Sequence, residues 1–344
     1  MPLEFIYVTR HGFRSNWLVD PSSGNYTAML KSPTGIAADP ALTAHGVDQA
    51  RELGERLLVT DPPIERIYSS PYYRCLQTIE PFVRKALARG RLKDAAQANV
   101  SSEEASITRV RGETGLGEWY GSAPFEHPIP AAPEVLRSLF PALLSPDYKP
   151  AVVPTRMGES IDELHNRVAA TMEALISECD RDGVRAVLLC SHAAVVIALG
   201  RVLTGAMPEN IEVEDFRAFT CGLSIYRRRQ TGPEEAGGAA SKSSVKTVVS
   251  AAGVGRKEQD AKAPFRGPHW RCGRGVAGGW DCELNSDCSH LSGGEERGWR
   301  FAGDESFASV DKSILDAGIQ LGVVVEGKKK GPRTRPKEPG GPHL

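Results

Sequence analysis

The stretch Phe5-Ile6-Tyr7-Val8-Thr9-Arg10-His11-Gly12-Phe13-Arg14 decides the reading of the chain. Its first half is β-branched and aromatic, which reads as a short strand, and its second half turns polar at a glycine. A strand that delivers arginine and histidine at its carboxyl end is how an open α/β sheet builds a site. Two later segments repeat the arrangement. Ile64-Glu65-Arg66-Ile67-Tyr68 reads as a second strand, followed by Ser69-Ser70-Pro71 and by Arg74 at the start of a helix reaching about Leu87. Pro81 inside that helix predicts a break or kink. Ala186-Val187-Leu188-Leu189-Cys190 is a nearly continuous apolar run, as a strand covered on both faces must be, and it leads directly into Ser191-His192.

Helices fill the intervals. Thr43 to Val59 places Ala50, Leu53 and Leu57 on one face. Ser160 followed by Glu163 predicts a capping box, and Leu164, Val168, Leu175 and Cys179 continue that helix as one apolar stripe to about Gly183. Another helix follows His192 through Leu203, and Leu223-Ser224-Ile225-Tyr226 closes the region as a last strand. The order predicts an α/β fold, a mostly parallel sheet with helices on both faces. Ser15 to Ala41 and the eight-proline stretch from Gly121 to Pro154 fit neither period and read as excursions over a binding face.

Composition narrows the function classes. The 344 residues carry 42 basic against 43 acidic side chains, a net charge of -1, which excludes a surface built wholly to hold nucleic acid. The longest apolar run, Ala193 to Leu199, is far shorter than a membrane span, and no secretory leader is expected from Met1-Pro2-Leu3-Glu4. Seven scattered cysteines do not describe a disulfide scaffold and predict a reducing compartment.

The candidate site is the set His11, His192, Arg10, Arg14 and Arg74 at three strand ends. Guanidinium forks match phosphate oxygens, and histidine serves as nucleophile or proton carrier near neutrality. Taken singly each has an ordinary explanation; Arg74, for instance, can pair with Glu80. Together they describe a pocket for a phosphoryl dianion and a poor site for a divalent cation. No metal and no cofactor is called for.

These residues fall in a wider pattern. The run Tyr7 to Arg14 resembles the signature of the histidine phosphatase superfamily, with its phosphoglycerate-mutase-like fold. Leu42-Thr43-Ala44-His45-Gly46 with Gln49-Ala50, Tyr68 through Thr78, Gly158-Glu159-Ser160 and Leu189 through His192 resemble its further motifs, in order. The resemblance implies that His11 attacks phosphorus to form phosphohistidine, that Arg10, Arg14, Arg74 and His192 hold the phosphoryl oxygens, and that a loop carboxylic acid protonates the leaving oxygen. Glu113 is the favoured acid, four residues before Gly117-Glu118-Trp119-Tyr120-Gly121, with Glu118 its rival. Burial raises and nearby cations lower the pKa of such an acid, and sequence leaves the balance open. Hydrolysis is favoured over mutase chemistry, because residues 121–154 carry only Arg137 and Lys149 as basic groups. Trp17, Tyr26, Tyr72 and Tyr73 suggest an aromatic or bulky phosphoester.

The remainder reads as a second part. Residues 1–230 form the phosphatase-like domain, expected to hydrolyse an aryl phosphate alone. Residues 231–264 read as a flexible linker, 265–326 as a small β-rich module with Trp270, Trp280, Trp299, Phe301, Phe307 and a strand at Ile319 to Val325, and 327–344 as a basic tail. Cys272, Cys282, Cys288 and His290, with His269, raise a zinc question that their wide spacing disfavours. Asn285 through Trp299 resembles the small β-barrel segment of a subunit family of transcription factor IIIC (TFIIIC), the assembly factor for RNA polymerase III. The fungal 55 kDa tau-type subunits join a histidine phosphatase domain to such a segment. That resemblance implies a nuclear protein whose residues 265–326 bind the large 95 kDa tau-type subunit, as half of a shared barrel, with DNA contact indirect. A stand-alone cytosolic phosphomonoesterase, or a phosphate receptor without catalysis, are the alternatives.

Overall fold

The structure, a computed structural model, describes residues 2–88, 109–230 and 270–302. The linker at 231–264, His269, Phe307, the strand at 319–325 and the tail at 327–344 lie outside the described residues. A six-stranded sheet runs through the molecule. Its strands are β1 (Phe5–Arg10), β4 (Arg66–Ser69), β5 (Arg111–Gly112), β6 (Ala186–Ser191), β7 (Leu223–Arg228) and β8 (Trp280–Asp287), in the spatial order β5-β4-β6-β1-β7-β8. The first four strands of that order run parallel, and β7 and β8 are antiparallel additions. The α/β architecture is that expected from the sequence.

Helices cover both faces, each for a legible reason. On one side lie α1 (Ala44–Leu57) and α2 (Tyr73–Ala88), which share a core with the buried alternate residues Tyr7 and Leu188 of the sheet. The other side carries α4 (Ile161–Asp182) and α5 (Ala193–Thr204), packed on Ile6, Val8, Val187 and Leu189. The capping box of Ser160 with Glu163 opens α4, and left-handed Gly183, at φ 70°, ends it. Every residue of α5 is buried, which is why its sequence is apolar except for Arg201, paired with Asp215, and Thr204, which donates to the Gly200 carbonyl. The expected break at Pro81 is absent: α2 runs through it as one helix, and Gly54 of α1 lies against the Pro81–Phe82 backbone. The excursions also carry structure, a hairpin of β2 (Trp17–Asp20) and β3 (Asn25–Ala28) in the first and α3 (Pro133–Leu139) in the second.

The described part of the 265–326 segment does not stand apart. Strand β8 extends the main sheet through β7, and Trp270, Trp280, Trp299 and Phe301 are buried in the same core as α4 and α5. Large aromatic side chains buried this fully contribute on the order of 2 kcal/mol each, more than a peripheral attachment would supply. Asn285 through Trp299 is tied to this chain. Asn285 Oδ1 accepts from the Arg217 amide and Ser286 Oγ from the Phe219 amide.

Candidate active site

Three neighbouring parallel strands end at one level. In the ladder Arg10 stands opposite Ser191 and Ser69 opposite Cys190, so the next residues, His11, His192 and Ser70, emerge side by side. The His11 amide donates to the Ser191 carbonyl and the Ser70 amide to the Cys190 carbonyl, locking these junctions together. Gly12 is required by the turn: a Cβ there would stand 2.8 Å from the Gly46 carbonyl oxygen. Thr43 caps α1 by accepting from the Gly46 amide, and Gln49 Oε1 accepts from the Phe13 amide at 2.9 Å. The Leu-Thr-Ala-His-Gly segment therefore braces the loop that carries His11.

The two imidazoles meet edge to face with ring centroids 5.3 Å apart. His11 Nδ1 lies 2.9 Å from the Gly12 carbonyl oxygen; a carbonyl only accepts, so Nδ1 carries the proton and Nε2 keeps a free lone pair. Burial, reinforced by the charges of Arg74, His192, Arg10 and Arg14, holds the His11 pKa well below 6.5. His11 is thus a neutral base with its nucleophilic nitrogen defined. His192 is shifted upward: burial opposes its charge, but the Cys75 sulfur and the Glu118 carboxylate outweigh it. Its Nε2 shares a hydrogen with Ser70 Oγ at 2.8 Å, and its Nδ1 lies 3.2 Å from Glu118 Oε2.

The arginines are buried around this pair. Arg74 Nη1 donates to the Ala38 carbonyl at 2.9 Å and pairs with Asp39 at 3.2 Å, and its Nη2 donates to Glu118 Oε2 at 3.0 Å. Arg10 Nη1 donates to the carbonyls of Ala218 and Arg297. Arg14 Nη1 donates to the Ser15 carbonyl, and its guanidinium lies over Trp17. Burial lowers the pKa of Arg10 to about 10 and of Arg14 to about 9, so both remain cations at neutral pH. Among the described residues, the Nε–H groups of Arg10 and Arg74 are buried without a hydrogen-bond partner and so are open to an anion.

The two candidate carboxylates take different places. Glu113 is fully buried away from the imidazoles: Oε2 accepts from Tyr148 Oη and the Ala151 amide, Oε1 from the Gly115 amide. Its hydrogen bonds are spent on tying the 113–115 turn to the 148–152 loop. Glu118, the rival, is the acid brought to the site, where His11, Glu118 and His192 place ligand atoms within 4.8 Å of one another. Burial pushes the Glu118 pKa up, but His192, Arg74 and Arg14 prevail and hold it well below the usual carboxylate range. Geometry of this kind also admits a metal ion, yet the surrounding guanidinium groups make the donor set suit an anion.

Several residues that sequence reasoning left without a role hold Glu118 in place. Arg167 Nη1 donates to the carbonyls of Gly115 and Gly117, its Nε pairs with Glu159, and Trp119 Nε1 donates to the Glu159 carbonyl. The available signal was Arg167 lying beside the helical face that Leu164, Val168, Leu175 and Cys179 otherwise make apolar. Asp39 sat in a loop with no periodicity to mark it. Elsewhere, Cys272, Cys282, Cys288 and His290 form no converging group, the histidine–glutamate cluster being the one such set among the described residues.

Beside Glu118 opens a cavity of about 630 Å³, walled by Tyr72, Tyr120, His127, Ile129, Leu136 and Val153 among others. Trp17 and Tyr26 pack behind Tyr120, and Tyr120 stacks on His127 at 5.0 Å. Tyr73 turns instead into the opposite core against Phe140.

A parallel sheet with two histidines, buried arginines and a glutamate at its carboxyl edge defines a phosphate-handling α/β protein. The sequence profile of the histidine phosphatase superfamily (branch 1) matches residues 6–236, and the chain belongs to that superfamily. Among curated relatives, the transcription factor tau 55 kDa subunit of Saccharomyces cerevisiae is 31% identical over 310 residues, covering 88% of this chain and 59% of the relative. The ecdysteroid-phosphate phosphatase of Drosophila melanogaster is 26% identical over 228 residues, covering 60% of this chain and 27% of the relative. The chain thus spans less than two thirds of these relatives' lengths. Among solved structures, phosphoglycerate mutase from Bacillus anthracis is 19% identical with a TM-score of 0.37, covering 66% of this chain and 89% of that one.

Proposed function

We propose that the chain hydrolyses phosphomonoesters through a phosphohistidine at His11, with Glu118 as the acid for the leaving oxygen. The observation that carries this reading is the shared coordination of Glu118 Oε2 by Arg74 and His192. An anionic oxygen held at once by a guanidinium and an imidazole is the environment a phosphoryl oxygen takes. When a phosphate occupies that place, Arg74 and His192 turn to its oxygens, Glu118 loses the charges that keep it ionised, and the new anion beside it favours its protonation. Nε2 of His11 forms the bond to phosphorus as the ester P–O bond breaks, and the alkoxide takes its proton from Glu118. Water, deprotonated by the resulting Glu118 carboxylate, then attacks phosphorus and releases phosphate and neutral His11. Arg10, Arg14 and Arg74 stabilise charge growing on the equatorial oxygens. The leaving alcohol is read as large and apolar, because the cavity beside Glu118 is walled by aromatic, proline and aliphatic side chains. The full chain should hydrolyse a generic aryl phosphate with chelator present. His11→Ala should lower kcat at least about a thousandfold; equal turnover from that variant would overturn the nucleophile.

A second reading concerns context. Similarity to the yeast tau 55 kDa subunit covers 88% of this chain, whereas the match to the Drosophila phosphatase covers 60%, which supports membership in a TFIIIC assembly alongside phosphatase chemistry. On this reading the protein is nuclear, its partner is a large subunit of the 95 kDa tau type, and DNA contact passes through the complex. Since residues 270–302 are committed to this chain's own sheet, the partner would meet a folded surface there. Purification from native cells should recover the large transcription-factor subunits; recovery of the chain alone would remove this reading.

A further inference from the structure

Residues Glu296 and Arg297 reach the site from nearly the far end of the chain. Thr220 donates its amide to the Glu296 carbonyl at 3.1 Å, which sets the loop beside β1, where Arg10 and Thr220 are bridged. From there the two residues grip the loop of His11 at both sides. The Arg297 carbonyl accepts from Arg10 Nη1, next to the Ala218 carbonyl that accepts from the same atom at 2.7 Å. Glu296 Oε2 accepts from Gln49 Nε2 at 2.8 Å and lies 2.6 Å from His45 Nε2, and Gln49 Oε1 in turn accepts from the Phe13 amide. Above Phe13 the Arg297 guanidinium sits 4.0 Å from the ring centre and donates to Asn16 Oδ1 at 3.2 Å. Arg10, Phe13 and Asn16, which bracket His11, are thus all held by one two-residue strap.

We infer that Glu296 and Arg297 are positioning residues for the phosphate site: they fix the Arg10 fork and the His11 loop in the geometry that binds a phosphoryl group. Neither is asked to touch substrate. A buried guanidinium with two unconstrained nitrogens has several ways to point, and two carbonyls on Nη1 leave one, with Nε–H free for an anion. Glu296 Oε2 and Thr220 Oγ1, at 2.8 and 3.1 Å, both accept from Gln49 Nε2, and the carboxylate supplies the charged half of the pair that keeps Gln49 Oε1 turned to the Phe13 amide. The strap lies beyond the 231–269 segment in sequence, so the pocket is completed only when β8 has paired with β7.

The inference rests on the phosphate-binding reading of the pocket but not on turnover, and binding of inorganic phosphate by the full chain tests it separately. Titration calorimetry should give a Kd for phosphate about tenfold weaker in Glu296→Ala than in wild type, the scale of one charge-assisted hydrogen bond. Glu296→Gln, which keeps an oxygen acceptor for Gln49, should recover most of that loss. With an aryl phosphate, Glu296→Ala should raise KM more than it lowers kcat. Arg274→Ala, an exposed change on the same segment, should match wild type. Unchanged phosphate affinity in Glu296→Ala would overturn the inference, as would equal weakening in the Ala and Gln variants. Wild type that binds phosphate without hydrolysing an ester would overturn the proposed function and leave the strap standing.

Discussion

Glu113 and Glu118 share one loop and answer to different forces. Glu113 is surrounded by donors from backbone amides and Tyr148, so it is a structural acceptor. Glu118 faces cations. Glu118→Gln should therefore cut kcat for an alkyl phosphate, whose leaving group needs a proton, far more than for a nitrophenyl phosphate, whose leaving group does not; equal losses would deny it the role of acid. Glu113→Gln should retain the substrate preference while lowering stability by about 1–3 kcal/mol, measured by denaturant unfolding. The pH profile follows from the same groups. Because the His11 pKa is depressed, the imidazole remains neutral and nucleophilic on the acid side of 6.5. Glu118 starts ionised in the free protein, so the required proton comes most easily with substrate monoanion. Hence kcat/KM should be higher on the acid side and fall as pH rises through the substrate's second ionisation, at about 6. An acid-side fall with a midpoint near 6.5 would show that His11 titrates as an ordinary histidine.

At the scale of elements, what the sequence made legible was whatever repeats with a period or sits at a junction. The apolar runs of β1 and β6, the capping box of α4 and the strand-end histidines were readable because burial and capping leave local marks. Choosing between Glu113 and Glu118 was beyond local marks. Spacing favoured Glu113, but the turn from Thr114 to Leu116 swings its side chain toward the 148–152 loop, a long-range packing outcome. Asp39 and Arg167 were likewise hidden, since their partners lie 35 and about 50 residues away. Close approach of elements gives a further test. A Cβ at Gly46 would lie 2.0 Å from the Phe13 carbonyl oxygen, so α1 can meet the His11 loop only through glycine. Gly46→Ala should destabilise the protein by about 3 kcal/mol or more and depress activity, read by thermal unfolding and initial rates. A stable, fully active variant would mean that the loop is not braced by α1.

For the whole molecule, the boundary drawn at residue 230 from composition separated pieces that the fold joins. Residues 270–302 look unlike the first part because they are rich in glycine and tryptophan. Yet their four large aromatics complete the core over α4 and α5, while β8 covers the edge of β7. A protein ending at residue 230 would expose that core and lose the strap on Arg10. It should be insoluble or inactive; robust turnover from 1–230 would refute the integrated fold. Above all of this stands the claim that His11 takes the phosphoryl group. Rapid acid-free quenching of the full chain during turnover of a ³²P-labelled aryl phosphate, followed by peptide mapping, tests it most directly. The account predicts an alkali-stable, acid-labile phosphoryl group on His11 that Glu118→Gln does not relocate. Label on another residue, or steady turnover with His11 never labelled, would contradict it.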